Sequence, residues 1–209
     1  MGAQERLRPT IGDPELDGAL FIDGEPLIIY GEPGSGKTNI VLKIIKESIG
    51  RGLTAYYIST EGSIVYNRMT SMGLLELKGL YIAIAHSLSH LSKLVSQAIA
   101  EHSGIIAIDS INSLYRAEVG FNQRANEIFL GVLALLRLHT SLGGWAIATA
   151  QVRGEDEDMV PSGIDLISFY CRKTARVTRT GLGERIIEAG GKRHYFRISE
   201  NDIELIKDI

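Results

Sequence analysis

Residues 31–38 read GEPGSGKT, a complete GxxxxGK[ST] pattern, and few eight-residue stretches constrain a fold as tightly. Enclosing a string of phosphates takes consecutive backbone N–H groups turned inward. Gly31, Gly34 and Gly36 permit the dihedrals and the close approach, while Glu32, Pro33 and Ser35 complete the loop. Lys37 would reach the β- and γ-phosphates, and Thr38 would offer its hydroxyl to Mg2+. A helix starting at Lys37 would lay its positive end beneath the phosphates. The flanks agree: Leu27–Tyr30 is a short apolar run suited to a buried parallel strand, and 39–49 carries apolar residues at helical spacing. The alternative, a glycine-rich turn followed by a chance Lys-Thr, leaves those flanks unexplained.

The rest of the chain places this loop in an ordinary α/β domain. Its 209 residues, 44% hydrophobic with a formal net charge of −3, suffice for one core and announce no strongly basic or acidic partner. Cys171 is the lone cysteine, which excludes an intrachain disulfide and fits a reducing compartment. The longest apolar run, 128–136, is too short to span a bilayer, and MGAQERLRPT lacks a signal-peptide core. Arg6 stands where a myristoylation signal has Ser or Thr. A cytoplasmic protein without membrane partners is expected.

Strand-like and helix-like segments alternate. Strands are expected at 54–60, 80–86, 104–110 and 144–151, with helical stretches at 64–77, 89–101 and 122–142. Such alternation predicts a mainly parallel sheet with helices on both faces, and ligands at the carboxyl ends of its strands. From Arg172 the pattern becomes strand after strand: 172–180, a turn at 181–183, 184–189 and 192–199. This reads as an antiparallel C-terminal extension, 171–209, of one domain spanning 1–209 with a lead-in at 1–26.

Two strand ends carry further chemistry. The apolar run 105–108 delivers Asp109 to the phosphate side, where a carboxylate can hold the water shell of Mg2+. Apolar strands also end in Asp at plain turns, so the assignment depends on the phosphate loop. Glu61, after the strand at 54–60, can act as general base toward water, or can simply be an acidic turn residue. Spacing alone leaves both open.

Taken in order, GEPGSGKT, YISTEGSIVYNRM, IIAIDSINSLYRAE and WAIATAQV resemble the ATPase core of archaeal RadA-type recombinases, most closely RadB and related short RadA paralogues. The resemblance runs from about residue 9 to 205 and includes the entry segment Gly12–Asp17. It implies a RecA-like fold, ATP and Mg2+ as cofactors, Glu61 as the glutamate that activates water and Asp109 as the Walker B aspartate. It further implies Gln151 as the glutamine that senses the γ-phosphate and Arg68 as the arginine packed against adenine. On spacing alone Gln151 is a polar strand end and Arg68 a solvated helix residue.

The departures redirect the expectation. No segment resembling the N-terminal helical DNA-binding domain precedes the core, and 1–30 contains no Phe-x-x-Ala polymerisation segment. The region matching the second DNA loop, 152–163, sets Glu155, Asp156, Glu157 and Asp158 against Arg153, an arrangement that repels phosphate. Positive charge gathers later. Arg172, Lys173, Arg176, Arg179, Arg185, Lys192, Arg193 and Arg197 face only Glu184 and Glu188, a formal balance of +6 over 171–197. Such a surface can track single-stranded or other DNA, with Tyr195 or Phe196 as stacking groups, or can be a solvated strand face. Arg116 and Arg124 flank the segment matching the first DNA loop. His86 and His90 are spaced like paired metal ligands, without an evident third. Trp145 reads as a core aromatic.

The expected function is a Mg2+-dependent, DNA-stimulated ATPase, an accessory recombinase paralogue in homologous recombination and repair that works beside the main RadA-type recombinase and forms homo- or hetero-oligomers. An ATP-binding mediator with negligible hydrolysis and a KaiC-like signalling ATPase without a DNA role are the alternatives.

Overall fold

In the computed structural model, residues 7–101, 104–153, 160–180 and 183–206 are described. The first element is a short helix, α1 (Pro14–Leu20), opened by Asp13, whose side chain accepts from the Leu16 N–H at 2.9 Å, with Pro14 in the first turn. Then follow β1 (Leu27–Gly31), α2 (Lys37–Gly50), β2 (Ala55–Ser59), α3 (Val65–Ser71), β3 (Leu80–Ile84), α4 (Leu88–Ala100), β4 (Ile105–Asp109), α5 (Ser113–Glu118) and α6 (Ala125–Ser141). The remainder is β5 (Trp145–Arg153), β6 (Val160–Pro161), α7 (Ile164–Tyr170), β7 (Lys173–Arg179), β8 (Arg185–Ala189), β9 (Lys192–Ile198) and β10 (Ile203–Ile206).

The strands lie in the order β10-β9-β8-β7-β1-β5-β4-β2-β3, with β6 paired to β5. From β7 to β3 every neighbouring pair is parallel; β8, β9 and β10 continue antiparallel. The central strands read as unbroken apolar runs because both their faces are covered. In β1, Ile29 enters a cluster with Ile40, Val41 and Ile44 of α2, while Ile28 enters the opposite cluster with Leu91 of α4 and Phe129, Leu133 and Leu136 of α6. Trp145 is 2% exposed, in the first of these clusters.

The sheet agrees with the α/β expectation, with one shift in the C-terminal part. β7 is the last parallel strand, not the first antiparallel one: it pairs with β1, Ala175 opposite Ile29 and Val177 opposite Gly31. A parallel return needs a crossover element, and α7 supplies it. The stretch expected to be helical at 64–77 stops at Ser71, where Met72 and Gly73 close a turn onto Arg68 and Thr70 carbonyls. The acidic run 155–158 and the turn residues 181–182 lie outside the described residues. No helix among the described residues is long and apolar enough to cross a membrane.

Register decides what this sheet can hold. Gly31 lies opposite Gln151 on one side and Val177 on the other, and Ser59 lies opposite Asp109. The carboxyl ends of β1, β2, β4 and β5 therefore converge on one edge, where open α/β sheets bind ligands.

Candidate nucleotide-binding site

The phosphate-loop pattern folds as its glycines demand. Gly36, at φ 109°, turns the chain into α2, which starts at Lys37 as expected and has no capping side chain at its amino end. Its first-turn N–H groups are thus open to an anion. Gly31 has φ 156°, and a Cβ there would lie 2.1 Å from the Val177 carbonyl oxygen of the neighbouring strand. Glu32, Pro33 and Gly34 are exposed on the outer turn and Ser35 is buried within it. Lys37, buried to 7% exposure, donates to the carbonyls of Gly31 at 2.9 Å and Glu32 at 2.8 Å. Burial lowers its pKa from the ordinary lysine value; Asp109, Glu61 and Glu32 pull the other way.

Asp109, at the end of β4, accepts from three hydroxyls. Thr38 Oγ1 and Tyr57 Oη each donate to its Oδ2 at 2.7 Å, and Thr149 Oγ1 donates to Oδ1. The loop threonine and the strand-end aspartate thus meet across 71 residues of sequence. Hydrogen bonds of this kind hold a carboxylate in one orientation. Burial and the adjacent Asp109 push the Tyr57 phenol well above its ordinary pKa, so it remains a donor.

Glu61 and Gln151 also come together. Gln151 Nε2 donates to Glu61 Oε1 at 2.5 Å, and Ser110 Oγ donates to the same oxygen at 3.2 Å. The Gln151 backbone is pinned by Asn112, which accepts its N–H at 3.1 Å and donates to its carbonyl at 2.9 Å. Arg116 Nη1 donates to Gln151 Oε1 at 3.0 Å. Lys37, Thr38, Glu61, Asp109 and Gln151 line one pocket of about 310 Å³, together with Arg185 and Ile198 from the C-terminal strands.

Arg68 lies beside this pocket rather than in its lining. Its Nε donates to Asn39 Oδ1 at 2.9 Å, Nη1 to the Glu200 carbonyl at 2.6 Å and Nη2 to the Ser199 carbonyl at 3.1 Å. The guanidinium therefore clasps the turn between β9 and β10 to the start of α2.

The basic C-terminal stretch does not form one stripe. Arg179 donates to the carbonyls of Gly34 at 2.9 Å and Pro33 at 3.4 Å, on the phosphate loop. Lys192 pairs with Glu15 at 2.5 Å, Arg193 with Glu188 at 2.7 Å and Arg197 with Glu184 at 2.5 Å. Phe196, considered for stacking, is 1% exposed in the core. Arg172, Lys173 and Arg176 form no ion pair among the described residues. Arg124 is exposed and paired with Glu127 at 3.2 Å.

Several site residues escaped the sequence reading. Tyr57 and Thr149 look like strand filler, yet they alternate onto the face that carries Asp109. Asn112, three residues past the aspartate, had no motif to mark it, and Arg185 was counted only as charge.

This geometry has known counterparts. A model of the ATPase family associated with various cellular activities (AAA) matches residues 27–153, from β1 to the end of β5. The protein named DNA repair and recombination protein RadB in Methanosphaera stadtmanae is 30% identical over 158 residues, 68% of each chain. That of Methanococcus maripaludis is 29% identical over 194 residues, 85% of this chain and 90% of the relative. This chain is an AAA-type P-loop ATPase of the RadB family. A crystal structure titled as the RadB recombinase superposes with a TM-score of 0.74 at 23% identity, covering 95% of this chain and 99% of that one. The RadB fold thus extends beyond the matched model to the C-terminal strands. As a P-loop ATPase of this family, the chain binds nucleotide.

Proposed function

We propose that this RadB-family chain binds Mg2+–ATP at the carboxyl ends of β1, β2, β4 and β5, hydrolyses it, and acts as an accessory recombinase paralogue in homologous recombination and DNA repair. The observation that carries the catalytic part is the pairing of Glu61 with Gln151 beside the Thr38–Asp109 contact, in a pocket that Lys37 also lines. The recombination part rests on the RadB relatives and their name.

The residues fit the group they would hold. Thr38 and Asp109 present oxygen donors only, as Mg2+ requires, and the open amino end of α2 suits phosphate. Mg2+ held there by Thr38 and Asp109 would neutralise negative charge on the phosphates. Lys37 adds a positive charge beside the loop, and the loop N–H groups orient the chain of phosphates. Glu61 takes the proton of the water that attacks the γ-phosphorus as the bond to the ADP oxygen breaks. Gln151, bonded to Glu61 through its amide N–H, orients that water and reports the γ-phosphate to the chain beyond β5. Arg68, fixed at the edge of the pocket, is the platform for adenine.

DNA contact is assigned to Arg172, Lys173 and Arg176, with Arg116 and Arg124 at the segment after β4. The main RadA-type recombinase is the partner, reached in the cytoplasm as a homo- or hetero-oligomer. Titration of ATP with Mg2+ into the wild type and Lys37→Ala tests the site: binding by the first and at least tenfold weaker binding by a folded second are expected. Equal affinity would contradict it.

A further inference from the structure

Arg179 and Arg185 stand directly opposite each other on the antiparallel pair β7 and β8. Like charges in that relation cost stability unless something of opposite sign joins them. The nearest glutamate in sequence, Glu184, is engaged by Arg197 at 2.5 Å. Arg179 is spent on the outer turn of the phosphate loop, through its bonds to the Gly34 and Pro33 carbonyls. Arg185 lines the nucleotide pocket itself. A Cβ built on Gly36 would lie 3.2 Å from Arg185 Cδ and 3.4 Å from its Nε, so the side chain lies against the loop residue that precedes Lys37.

The hydrogen bonds of Arg185 are incomplete. Nη1 donates to the Gly183 carbonyl at 3.2 Å, while Nε is shielded from solvent and has no partner among the described residues. A buried donor without an acceptor is costly, and a ligand oxygen would relieve that cost. Burial, and then the neighbouring Arg179, lower the Arg185 pKa. The unmet Nε and the like charge of Arg179 favour an incoming anion at this guanidinium, and a planar fork of donors suits phosphate oxygens.

We infer that Arg185, held in place by the Arg179-anchored hairpin, is a phosphate-contacting residue supplied by the same chain, gripping the nucleotide's polyphosphate beside the loop at Gly36. This rests on the nucleotide reading above and adds a cation that the phosphate-loop motif does not contain. A structural arginine would behave differently: its removal would weaken the fold. Removing a phosphate-binding member of a like-charged pair leaves the nucleotide-free fold intact or firmer and weakens only the complex.

The test measures the full chain, its Arg185→Gln variant and its Arg185→Lys variant. Thermal unfolding is followed without nucleotide, and affinity is measured for Mg2+–ATP and for Mg2+–tripolyphosphate. Arg185→Gln is expected to unfold at the same or a higher temperature than the wild type and to bind both probes at least tenfold more weakly, with Arg185→Lys intermediate. Unchanged affinity in Arg185→Gln, a lowered unfolding temperature, or a loss confined to ATP would each overturn the inference. Failure of the wild type to bind ATP would instead remove the nucleotide reading on which it rests.

Discussion

Arg116 Nη1 donates a hydrogen bond of 3.0 Å to Gln151 Oε1, while the amide nitrogen of the same glutamine donates to Glu61. One side chain thus touches both Glu61, the proposed general base, and an arginine on α5, the helix that follows β4. A group that moved α5 would pull on the glutamine bonded to Glu61. Arg116 Nε is buried without a partner among the described residues, so the link is not fully satisfied as it stands.

Arg116→Ala should therefore uncouple DNA from turnover. ATP affinity is expected to change by less than about threefold, because Arg116 does not line the nucleotide pocket, whereas stimulation of phosphate release by single-stranded DNA should fall at least fivefold. Parallel titrations of ATP and of DNA into the turnover assay would check it; full stimulation in the variant would deny the link.

The loop glycines predict a stability effect separate from catalysis. Gly31→Ala places a Cβ 2.1 Å from a backbone oxygen of β7 at a dihedral that L-residues rarely adopt, and neither strand can yield without breaking the β1–β7 ladder. Destabilisation of about 3 kcal/mol or more is expected from strain and overpacking together. Urea unfolding would read this as a lower midpoint with an unchanged slope.

How far the sequence foretold these features differs by element. Motifs with local physics were legible: the phosphate loop, the apolar strands, and α2, α4 and α6 with their helical spacing. α1 carried readable signals in Asp13 and Pro14, but its brevity hid it. α7 was not read from the sequence, and the strand at 172–180 was placed wholly in the antiparallel part, because parallel or antiparallel pairing is decided by which strand a segment meets, and nothing local in 172–180 names β1. Asp109 could be placed by its strand, but the hydroxyls of Tyr57 and Thr149 reach it only through sheet register. The basic stretch misled for the same reason: Glu15, which neutralises Lys192, lies 177 residues away.

Nucleotide affinity should depend on alkaline pH through Lys37. Burial lowers its pKa below the ordinary 10.5, so the folded protein loses this charge earlier than a free lysine as pH rises. ATP affinity is therefore expected to begin falling below pH 10.5. In Lys37→Arg, whose guanidinium stays charged, the fall should move to higher pH, even if binding is weaker throughout. A pH series of calorimetric titrations checks the shift.

Among the basic residues, those without an ion pair among the described residues should dominate contact with DNA. Replacing Arg172, Lys173 and Arg176 together by Gln is expected to weaken single-stranded DNA binding at least tenfold. It should also lower the slope of log affinity against log salt by about 2, since each lost phosphate contact contributes about 0.7 for single strands. Lys192→Gln, which removes a charge already answered by Glu15, should change the slope by less than about 0.5 on the same scale. Equal slopes for wild type and triple variant would remove this surface from the DNA path.

The central claim is that Glu61, held by Gln151 beside a phosphate loop, makes this RadB-family chain a working ATPase. Phosphate release by the wild type and by Glu61→Gln, each with Mg2+ and with or without single-stranded DNA, tests it most directly. A wild-type rate above background that rises with DNA, and at least a hundredfold loss in Glu61→Gln with ATP binding retained, is the predicted result. Equal rates for the two proteins would contradict it.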